Sequence, residues 1–324
     1  MGTQYSQLEL DERIEVFRLN LEGRSYREIG RMMGRHHTTI MREVMRNSLM
    51  SGYKPGLADH IAWVRRKRAS KLERLRPLQL YVRDRLAMGW SPEQIAGRLR
   101  QTRSQHSISH ESIYRFIFSR TGRKLKLHRY LAHRKAKRGL RYFKAQNHTI
   151  PDAASIANRP EAIESREEFG HWEGDLMQFR TQRGALLNVT ERVTRFCLLS
   201  SLKTKQAGPT GEAVADVLND LPQTARRSIT FDRGSEFADH QTIKDKIGSD
   251  IWFCDPHSPW QRGTVENMNG VIRRDMPRKS DISDYTELDI EMLQRLINST
   301  PRKCLSFKTP EEAFFEKLNG ALET

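Results

Sequence analysis

The chain has 324 residues, a length that predicts two or three domains. Charged residues make up 30% of it, and 56 Lys+Arg against 40 Asp+Glu give a formal net charge of +16. This balance argues against an ordinary metabolic enzyme and indicates a polyanionic partner, most simply nucleic acid. No apolar run approaches the roughly 20 residues that span a bilayer, and the N-terminus has no apolar signal segment. We therefore expect no membrane partner and a cytoplasmic location.

The charge is unevenly distributed along the chain. Residues 1–150 hold 33 Lys+Arg and 12 Asp+Glu, a net charge of +21, whereas the remainder holds 23 and 28, a net charge of −5. From Arg120 to Lys144 there are eleven basic residues and no acidic one. We interpret 121–160 as a basic linker that contacts a nucleic-acid backbone, and a solvated segment with no specific partner is the alternative.

The first 60 residues are expected to form three helices. Apolar residues recur at helical spacing from about Gln7 to Asn20. Ser25 and Glu28 form a capping-box pattern that opens a second helix, with Ile29, Met32 and Met33 expected on its buried face. Gly34 breaks that helix, and a third begins at about Thr38.

The three cysteines of the chain show no CxxC pairing, so the sequence does not favour a disulfide framework or a zinc finger.

These helices match a helix-turn-helix domain over 1–60. Such a motif needs a small residue where its helices cross, a glycine in the turn and an aliphatic anchor, which Gly30, Gly34 and Ile40 supply. A plain three-helix bundle with solvated basic residues is the alternative. In the helix-turn-helix interpretation, the residues on or near the face entering the major groove are Arg35, His36, His37, Thr38, Thr39 and Arg42.

A second helix-turn-helix-like domain is predicted over 61–120. Leu78–Met88 has helical spacing and ends at Gly89, and Ser91 with Gln94 forms another capping-box pattern. Ser109 is the expected cap of a further helix. The loop between these last two helices is longer than the minimal one. Two such units on one chain favour recognition of an extended DNA site.

From about 161 the pattern changes to that of an α/β domain. Strands are predicted over 171–179, 184–190 and 195–202 as an antiparallel meander, followed by a helix over 213–221, a strand over 228–232, a helix from 243, a strand over 250–254 and a helix over 264–274. This is the element order of ribonuclease-H-like folds. The predicted fold class is therefore multidomain, with an all-α helix-turn-helix N-terminal half and an α/β ribonuclease-H-like (integrase) catalytic core over 161–324.

Three carboxylates occupy adjoining elements of this predicted core. Asp175 lies mid-strand, Asp232 at the end of a strand, and Glu266 in a helix, with 33 residues between the last two. Hard oxygen ligands of this kind can hold two Mg²⁺ ions for phosphoryl transfer. The presence of carboxylates alone is weak evidence, because this half of the chain holds 28 of them. The spacing of 33 residues between Asp232 and Glu266 makes the hypothesis more specific.

The sequence also resembles a known family at these residues. GHWEGD at 170–175, ITFDRGSEFADH at 229–240 and CDPHSPWQRGTVENMNG at 254–270 are similar to the signatures of insertion-sequence transposases of the IS-thirty family. The resemblance extends to SPEQIAGRL at 91–99 and to INSTPRKCL at 297–305, and so spans nearly the whole chain. It implies a member of the retroviral-integrase superfamily with a DDE triad.

The resemblance implies Asp175, Asp232 and Glu266 as catalytic residues and metal ligands, with Mg²⁺ as the cofactor and Mn²⁺ as a possible substitute. Arg273, two turns after Glu266, corresponds to a basic residue that contacts DNA ends, and a plain surface arginine is the alternative. Asp232 is followed by Arg233, where many relatives have Asn.

The resemblance leaves several neighbouring residues with two roles open. His171 and Trp172 are expected either to pack beside the site or to fill the core. Asn267 and Asn269 are expected either to form hydrogen bonds to DNA or simply to lie on a polar face of their helix. A short segment is expected to position its loop and the DNA rather than to perform chemistry: Trp260, Gln261 and Arg262.

The resulting hypothesis is a transposase. It would bind the inverted-repeat ends of an insertion sequence, cleave a phosphodiester with activated water and join the freed 3′-hydroxyl to target DNA, without a covalent protein intermediate. The expected partners are double-stranded DNA and further copies of the chain on that DNA. A non-enzymatic DNA-binding regulator, a nuclease or resolvase of the same fold, and an inactive relative remain alternatives.

Overall fold

The computed structural model describes residues 7–66, 69–131, 154–156, 159–181, 184–255 and 258–322. The chain divides into two compact units, Met1–Arg74 and Leu75–Thr324. Most of the predicted basic linker, residues 132–153, lies outside the described residues, and the predicted domain bounds stay a prediction. Within the described ranges, no helix combines the length and apolarity of a membrane-spanning segment.

The smaller unit is built mainly from helices. Its elements are α1 (Leu10–Leu21), α2 (Tyr26–Met32), α3 (His37–Asn47), β1 (Ser48–Leu49), β2 (Gly52–Tyr53), α4 (Pro55–Arg66) and α5 (Lys71–Arg74). The two short strands form an antiparallel hairpin, so the prediction of an all-α N-terminal half was wrong at this point. Met50 and Ser51 form the turn of this hairpin, and Gly52 directly after it has a φ of +91°, which favours glycine.

The predicted helix-turn-helix residues take their expected places. The Ser25–Glu28 capping box is present, and Gly34 has a φ of +63° between α2 and α3. A Cβ on Gly30 would lie 2.7 Å from the Arg35 carbonyl oxygen, so only glycine permits this close approach. Ile40 is fully buried, as an anchor should be.

One predicted core residue of this unit is wrong. Met32 is 60% exposed, whereas Ile29 on the same helix is fully buried. Helix α2 has only seven residues and buries one narrow face, centred on Ile29 and Gly30. Met32, although three residues from Ile29, lies at the last position of the helix, where the chain already turns away.

An ionic cluster ties the helices of the smaller unit together. Arg13 on α1 donates from Nε to Glu43 of α3 at 2.8 Å and from Nη1 to Asp59 of α4 at 2.9 Å. It also donates to the carbonyl oxygen of Leu8. Arg13 and Glu43 are each only 2% exposed. We call these three charged residues the Arg13 cluster.

The larger unit begins with the second helical segment and continues into a sheet with its covering helices. Its helices are α6 (Arg76–Ala87), α7 (Pro92–Gln101), α8 (His110–Phe118), α9 (Arg120–Lys124), α10 (Glu161–Glu164), α11 (Ala207–Asn219), α12 (His240–Ile247), α13 (Gly263–Ile272), α14 (Glu287–Asn298) and α15 (Pro310–Leu322). Its strands are β3 (His171–Gln178), β4 (Ala185–Glu191), β5 (Cys197–Leu202), β6 (Ser228–Phe231) and β7 (Asp250–Phe253). The predicted caps at Ser91 and Ser109 are both present.

Helix α7 packs against the chain near α15. Gln94 donates to the carbonyl oxygen of Pro301 at 2.8 Å, and Arg98 pairs with Glu312. A Cβ on Gly97 would lie 2.3 Å from the Phe307 ring, so the ring rests directly on the backbone of α7. The second helical segment therefore shares one compact unit with the C-terminal residues.

The sheet has the strand order β5-β4-β3-β6-β7. The predicted antiparallel meander is confirmed, because β4 pairs antiparallel with both β3 and β5. Strands β6 and β7 continue the sheet in parallel with β3. Strand β3 is consequently central, and apolar clusters cover both faces of the sheet.

Helix α11 begins six residues before its predicted start at Ala213. Gly208, Pro209 and Gly211 disfavour helix in the sequence pattern, but Pro209 lies in the first turn, where its missing N–H has no partner to lose. Gly211 packs closely on α12, since a Cβ there would lie 3.3 Å from Ile243. Packing thus extends the helix over residues of low propensity.

Candidate functional site

The register of the sheet brings the two predicted aspartates side by side. Strands β3 and β6 are parallel, with Glu173 opposite Thr230. Extending this register by two residues places Asp232, just beyond β6, next to Asp175. Strand neighbours in register point to the same face of a sheet, so both carboxylates face one side.

Arg262 bridges these two carboxylates. Its Nη1 donates to Asp175 Oδ1 at 3.1 Å, and its Nη2 donates to Asp232 Oδ2 at 2.9 Å. Nη1 also reaches the carbonyl oxygen of Gly174 at 3.1 Å. Arg262 is 10% exposed, against 22% for Asp175 and 41% for Asp232. We call Arg262 and the two aspartates the Arg262 cluster.

The electrostatics of the Arg262 cluster are those of a crowded carboxylate pair. Burial raises the pKa of Asp232, and the nearby charge of Asp175 raises it further against the opposing effect of Arg262. Burial disfavours the charged form of Arg262, but the two aspartates outweigh it and raise the pKa of the guanidinium. The charged guanidinium of Arg262 therefore lies between two closely spaced carboxylates.

The third predicted residue, Glu266, lies on α13, which begins directly after Arg262. Its side chain is exposed, and no hydrogen bond or ion pair joins it to either aspartate in the described structure. Asn269, one turn further along the same helix, donates from Nδ2 to Asp175 Oδ2. The helix that carries Glu266 thus contacts the aspartates through a neighbouring residue, and the assignment of Glu266 stays a prediction.

Glu236 is an additional carboxylate near the aspartates that the sequence analysis missed. Its carboxyl group folds over Gly234, where a Cβ would lie 2.5 Å from Glu236 Cδ. Burial raises the pKa of Glu236, and the charges of Asp232 and Asp175 raise it further. Its position four residues after Asp232, in the segment DRGSEF, was the available sequence signal.

The aspartates provide a suitable pair of donors for a divalent cation. Their oxygens converge on one guanidinium, so they already share a cation, and hard carboxylate oxygens are the ligands that Mg²⁺ prefers. Across the described ranges, however, no group of three or more His, Cys, Asp or Glu side chains could hold a metal ion. Asp175 and Asp232 fit the predicted ion, and the structure does not bring Glu266 into the same group.

The loop before α13 is held by its own side chains. Gln261 exchanges two hydrogen bonds with Asp255, at 2.8 and 2.9 Å, which fixes the segment that positions Arg262. Trp260 is 73% exposed. Arg233, which stands where many relatives have Asn, donates to the carbonyl oxygen of Cys254 at 3.1 Å and so makes a local hydrogen bond.

Other predicted site residues have structural partners. Trp172 is fully buried and donates to the carbonyl oxygen of Ala225, and His171 is buried beside Ser228, so both lie in the core. Arg273 donates to the carbonyl oxygens of Gln178 and Met276 and lies over the Phe179 ring. Its predicted DNA contact stays a prediction.

The predicted DNA-contact residues of the smaller unit lie at the start of α3. His36 caps this helix, with its ring accepting from the Thr38 amide, and Arg35 pairs with Glu12 at 2.8 Å. Arg42 is exposed. The DNA contacts of the whole set stay predictions: Arg35, His36, His37, Thr38, Thr39 and Arg42.

Similarity to known proteins agrees with this architecture. A family model described as a helix-turn-helix domain matches residues 4–47. The chain is 36% identical over 320 residues to the transposase InsI for insertion sequence element IS30A of Escherichia coli (strain K12), covering 94% of this chain and 82% of that protein. It is 32% identical to the transposase for IS1086 of Cupriavidus metallidurans, over 98% and 96% of the two chains. It is 35% identical to the transposase for IS4351 of Bacteroides fragilis, over 91% of each.

Proposed function

Because the chain belongs to the IS30 family of insertion-sequence transposases, we propose that it binds the inverted-repeat ends of an insertion sequence and catalyses DNA cleavage and strand transfer. The observation that carries the proposal is the Arg262 cluster, in which the carboxylates of Asp175 on β3 and of Asp232 just beyond the parallel strand β6 converge on Arg262, directly before the helix that bears Glu266. The strand order, with β6 and β7 parallel to β3, supports a ribonuclease-H-like core. Bacterial DNA as substrate implies the cytoplasm as the proposed compartment.

Asp175, Asp232 and Glu266 are the proposed holders of Mg²⁺. When bound, the metal supplies activation of the attacking oxygen and neutralisation of charge at the leaving oxygen. The protein's own residues prepare this site. Arg262 holds the two aspartates together against their mutual repulsion, and Asn269 orients the Asp175 carboxylate by donating to it.

The helical segments are the proposed DNA-binding parts. The first helix-turn-helix places the exposed Arg42 on α3, and the N-terminal 150 residues carry the net charge of +21 that phosphate neutralisation needs. Binding that rests on phosphate contacts weakens steeply as salt is raised. An assembly of several copies on the DNA is part of the same proposal.

The test is a joining assay with the purified chain. Labelled duplexes from the ends of the element are incubated with Mg²⁺ or with EDTA, and cleaved and joined products are separated. We expect joined products only with Mg²⁺. Cleavage without joining would instead support the nuclease alternative, and binding with neither product would support a regulator or an inactive relative.

Carboxamide variants identify the residues that act. Asp175→Asn, Asp232→Asn and Glu266→Gln should each reduce joining by at least about 100-fold, the upper range for loss of a supporting metal contact, while leaving end binding intact. Asp216→Asn, at an exposed position on α11, is the matched control. If Glu236→Gln abolished joining and Glu266→Gln did not, the third carboxylate would be Glu236.

A further inference from the structure

One fully buried carboxylate beside the site has no part in the proposed chemistry. Glu173 lies on β3, two residues before Asp175, and is 0% exposed. We propose that Glu173 is a positioning residue that fixes helix α13, and with it Glu266, against the strand that carries Asp175. The inference rests on the proposed function, because it concerns the geometry of that site.

Glu173 caps the N-terminus of α13 from a different element. Its Oε2 accepts from the backbone N–H of Thr264 at 2.9 Å and of Val265 at 3.0 Å. These residues are the second and third of the helix, and Arg262 at the N-cap position supplies no capping side chain. N–H groups in a first helical turn have no partner within the helix. Glu173 thus does what an N-cap side chain normally does, and its charge suits the positive end of the helix dipole.

A second contact fixes the rotation of the same helix. Asn269 donates to Asp175 and accepts from Asn188 Nδ2 of β4 at 2.8 Å. Glu266 lies between this contact and the two amides bound by Glu173. A helix held at two points on one strand can neither slide along that strand nor turn about its own axis. The position of Glu266 relative to Asp175 therefore depends on both contacts.

The surroundings of Glu173 favour a carboxylate. Its Oε1 lies 3.6 Å from Nε of Arg192, which is 2% exposed and also pairs with Glu164 at 3.2 Å. Alanine at this position would leave two buried N–H groups without their acceptor. Glutamine would retain one acceptor oxygen but lose the charge that faces the helix terminus and Arg192.

The matched control is Glu191→Ala on β4. Glu191 is equally buried and accepts from backbone N–H groups of Val193 and Thr194, but it makes no hydrogen bond to α13 in the described structure. Both sites thus hold a buried glutamate that binds two adjacent amides. The elements that they hold differ, because the remaining hydrogen bonds of Glu191 come from the backbone N–H of Gly170 and the hydroxyl of Thr194.

The first measurement is amide hydrogen exchange of the full chain without metal or DNA. Glu173→Ala should speed exchange at Thr264 and Val265 by at least about 5-fold, as expected for loss of a cap, with β4 and β5 unchanged. Glu191→Ala should speed exchange at Val193 and Thr194 instead. Equal protection of α13 in Glu173→Ala and in the unchanged chain would overturn the proposal.

The second measurement is the Mg²⁺ concentration for half-maximal strand joining. Glu173→Ala should raise this Mg²⁺ concentration, or slow joining, by about 10- to 100-fold, which is the usual effect of losing a residue that supports a metal ligand. Binding to the DNA ends should not change. Glu173→Gln is the milder substitution, used in case Glu173→Ala fails to fold, and it should recover part of this loss. If Glu173→Ala had the same joining rate and Mg²⁺ dependence as Glu191→Ala, the proposal would be overturned. If the unchanged chain joined no strands, the proposed function would fail, whereas exchange in α13 would still decide whether Glu173 anchors the helix.

Discussion

The Arg13 cluster of the smaller unit and the Arg262 cluster of the larger unit both place an arginine between two carboxylates, and the two arrangements differ in burial. The ion-pair distances are similar, at 2.8 and 2.9 Å in the Arg13 cluster and 3.1 and 2.9 Å in the Arg262 cluster. In the first cluster the arginine and one carboxylate are almost completely buried, whereas both carboxylates of the second are partly exposed. An arginine with two carboxylates therefore ties helices together in the smaller unit. In the larger unit the same combination of side chains leaves both carboxylates partly exposed to solvent.

The two helical segments differ in a related way. The first closes around its own apolar core within 74 residues, with Ile29, Ile40 and Val16 all fully buried. The second rests α7 on the chain near α15, through Gln94 and Arg98. We infer that the first segment is stable by its own contacts and that the second depends on residues about 200 positions later in the sequence, as the hydrogen bond from Gln94 to Pro301 indicates.

The largest expected effect on stability comes from Arg13→Met. This change leaves Glu43 as a buried charge without its main partner, a loss that typically costs about 3–5 kcal/mol. Hydrogen exchange should then become fast throughout α1, α3 and α4 while the sheet keeps its protection. The control is Arg46→Met, which removes the exposed partner of Glu43. Equal destabilisation by both variants would contradict a structural role for the Arg13 cluster.

Gly97→Ala should act on the larger unit alone. The added Cβ would lie 2.3 Å from the Phe307 ring, so the ring or the backbone of α7 must shift. Overpacking of this kind costs about 1–3 kcal/mol. Urea unfolding of the full chain measures it. Gly320→Ala, where no atom lies within 4 Å, is the control, and equal midpoints for the two variants would show that α7 does not depend on this contact.

Arg262→Met should make the stability of the larger unit depend on metal. Without the guanidinium, the two aspartates repel each other, but their partial exposure limits the cost to about 1 kcal/mol, or about 2–4 °C in Tm. Mg²⁺ should restore the loss because it binds only the folded site. Thermal unfolding in EDTA and in Mg²⁺ is the measurement. A Tm deficit that Mg²⁺ leaves unchanged would show that the aspartates of this variant do not hold the ion.

The smallest effect concerns pH. Burial lowers the pKa of His171, and the opposing effect of Glu168 does not compensate for it. The folded chain thus binds fewer protons than the unfolded chain near the ordinary histidine value of 6.5. Stability should be complete above that pH and fall as the pH drops below it. In urea unfolding at pH 7.5 and 5.5, His171→Asn should show a smaller difference, and an unchanged difference would contradict this account.

Local patterns in the sequence determined much of the secondary structure. The capping boxes at Ser25 and Ser91 depend on residues three positions apart, and both are present. The short loops between β3, β4 and β5 predicted an antiparallel meander, which is confirmed. These signals succeed because both partners of each interaction lie close together in the chain. They fail where packing competes with propensity, as at Met32 and at the start of α11.

The arrangement of the candidate site was decided by tertiary structure. The sequence indicated Asp175 and Asp232 as residues of interest, but their convergence on Arg262 depends on the register of two parallel strands. The cap that Glu173 provides for α13 likewise joins residues that are far apart in the sequence, since Glu173 and Thr264 are separated by 91 positions. No local pattern encodes such pairs, because register and helix docking are chosen by the total burial of apolar surface and by the need to satisfy buried polar groups.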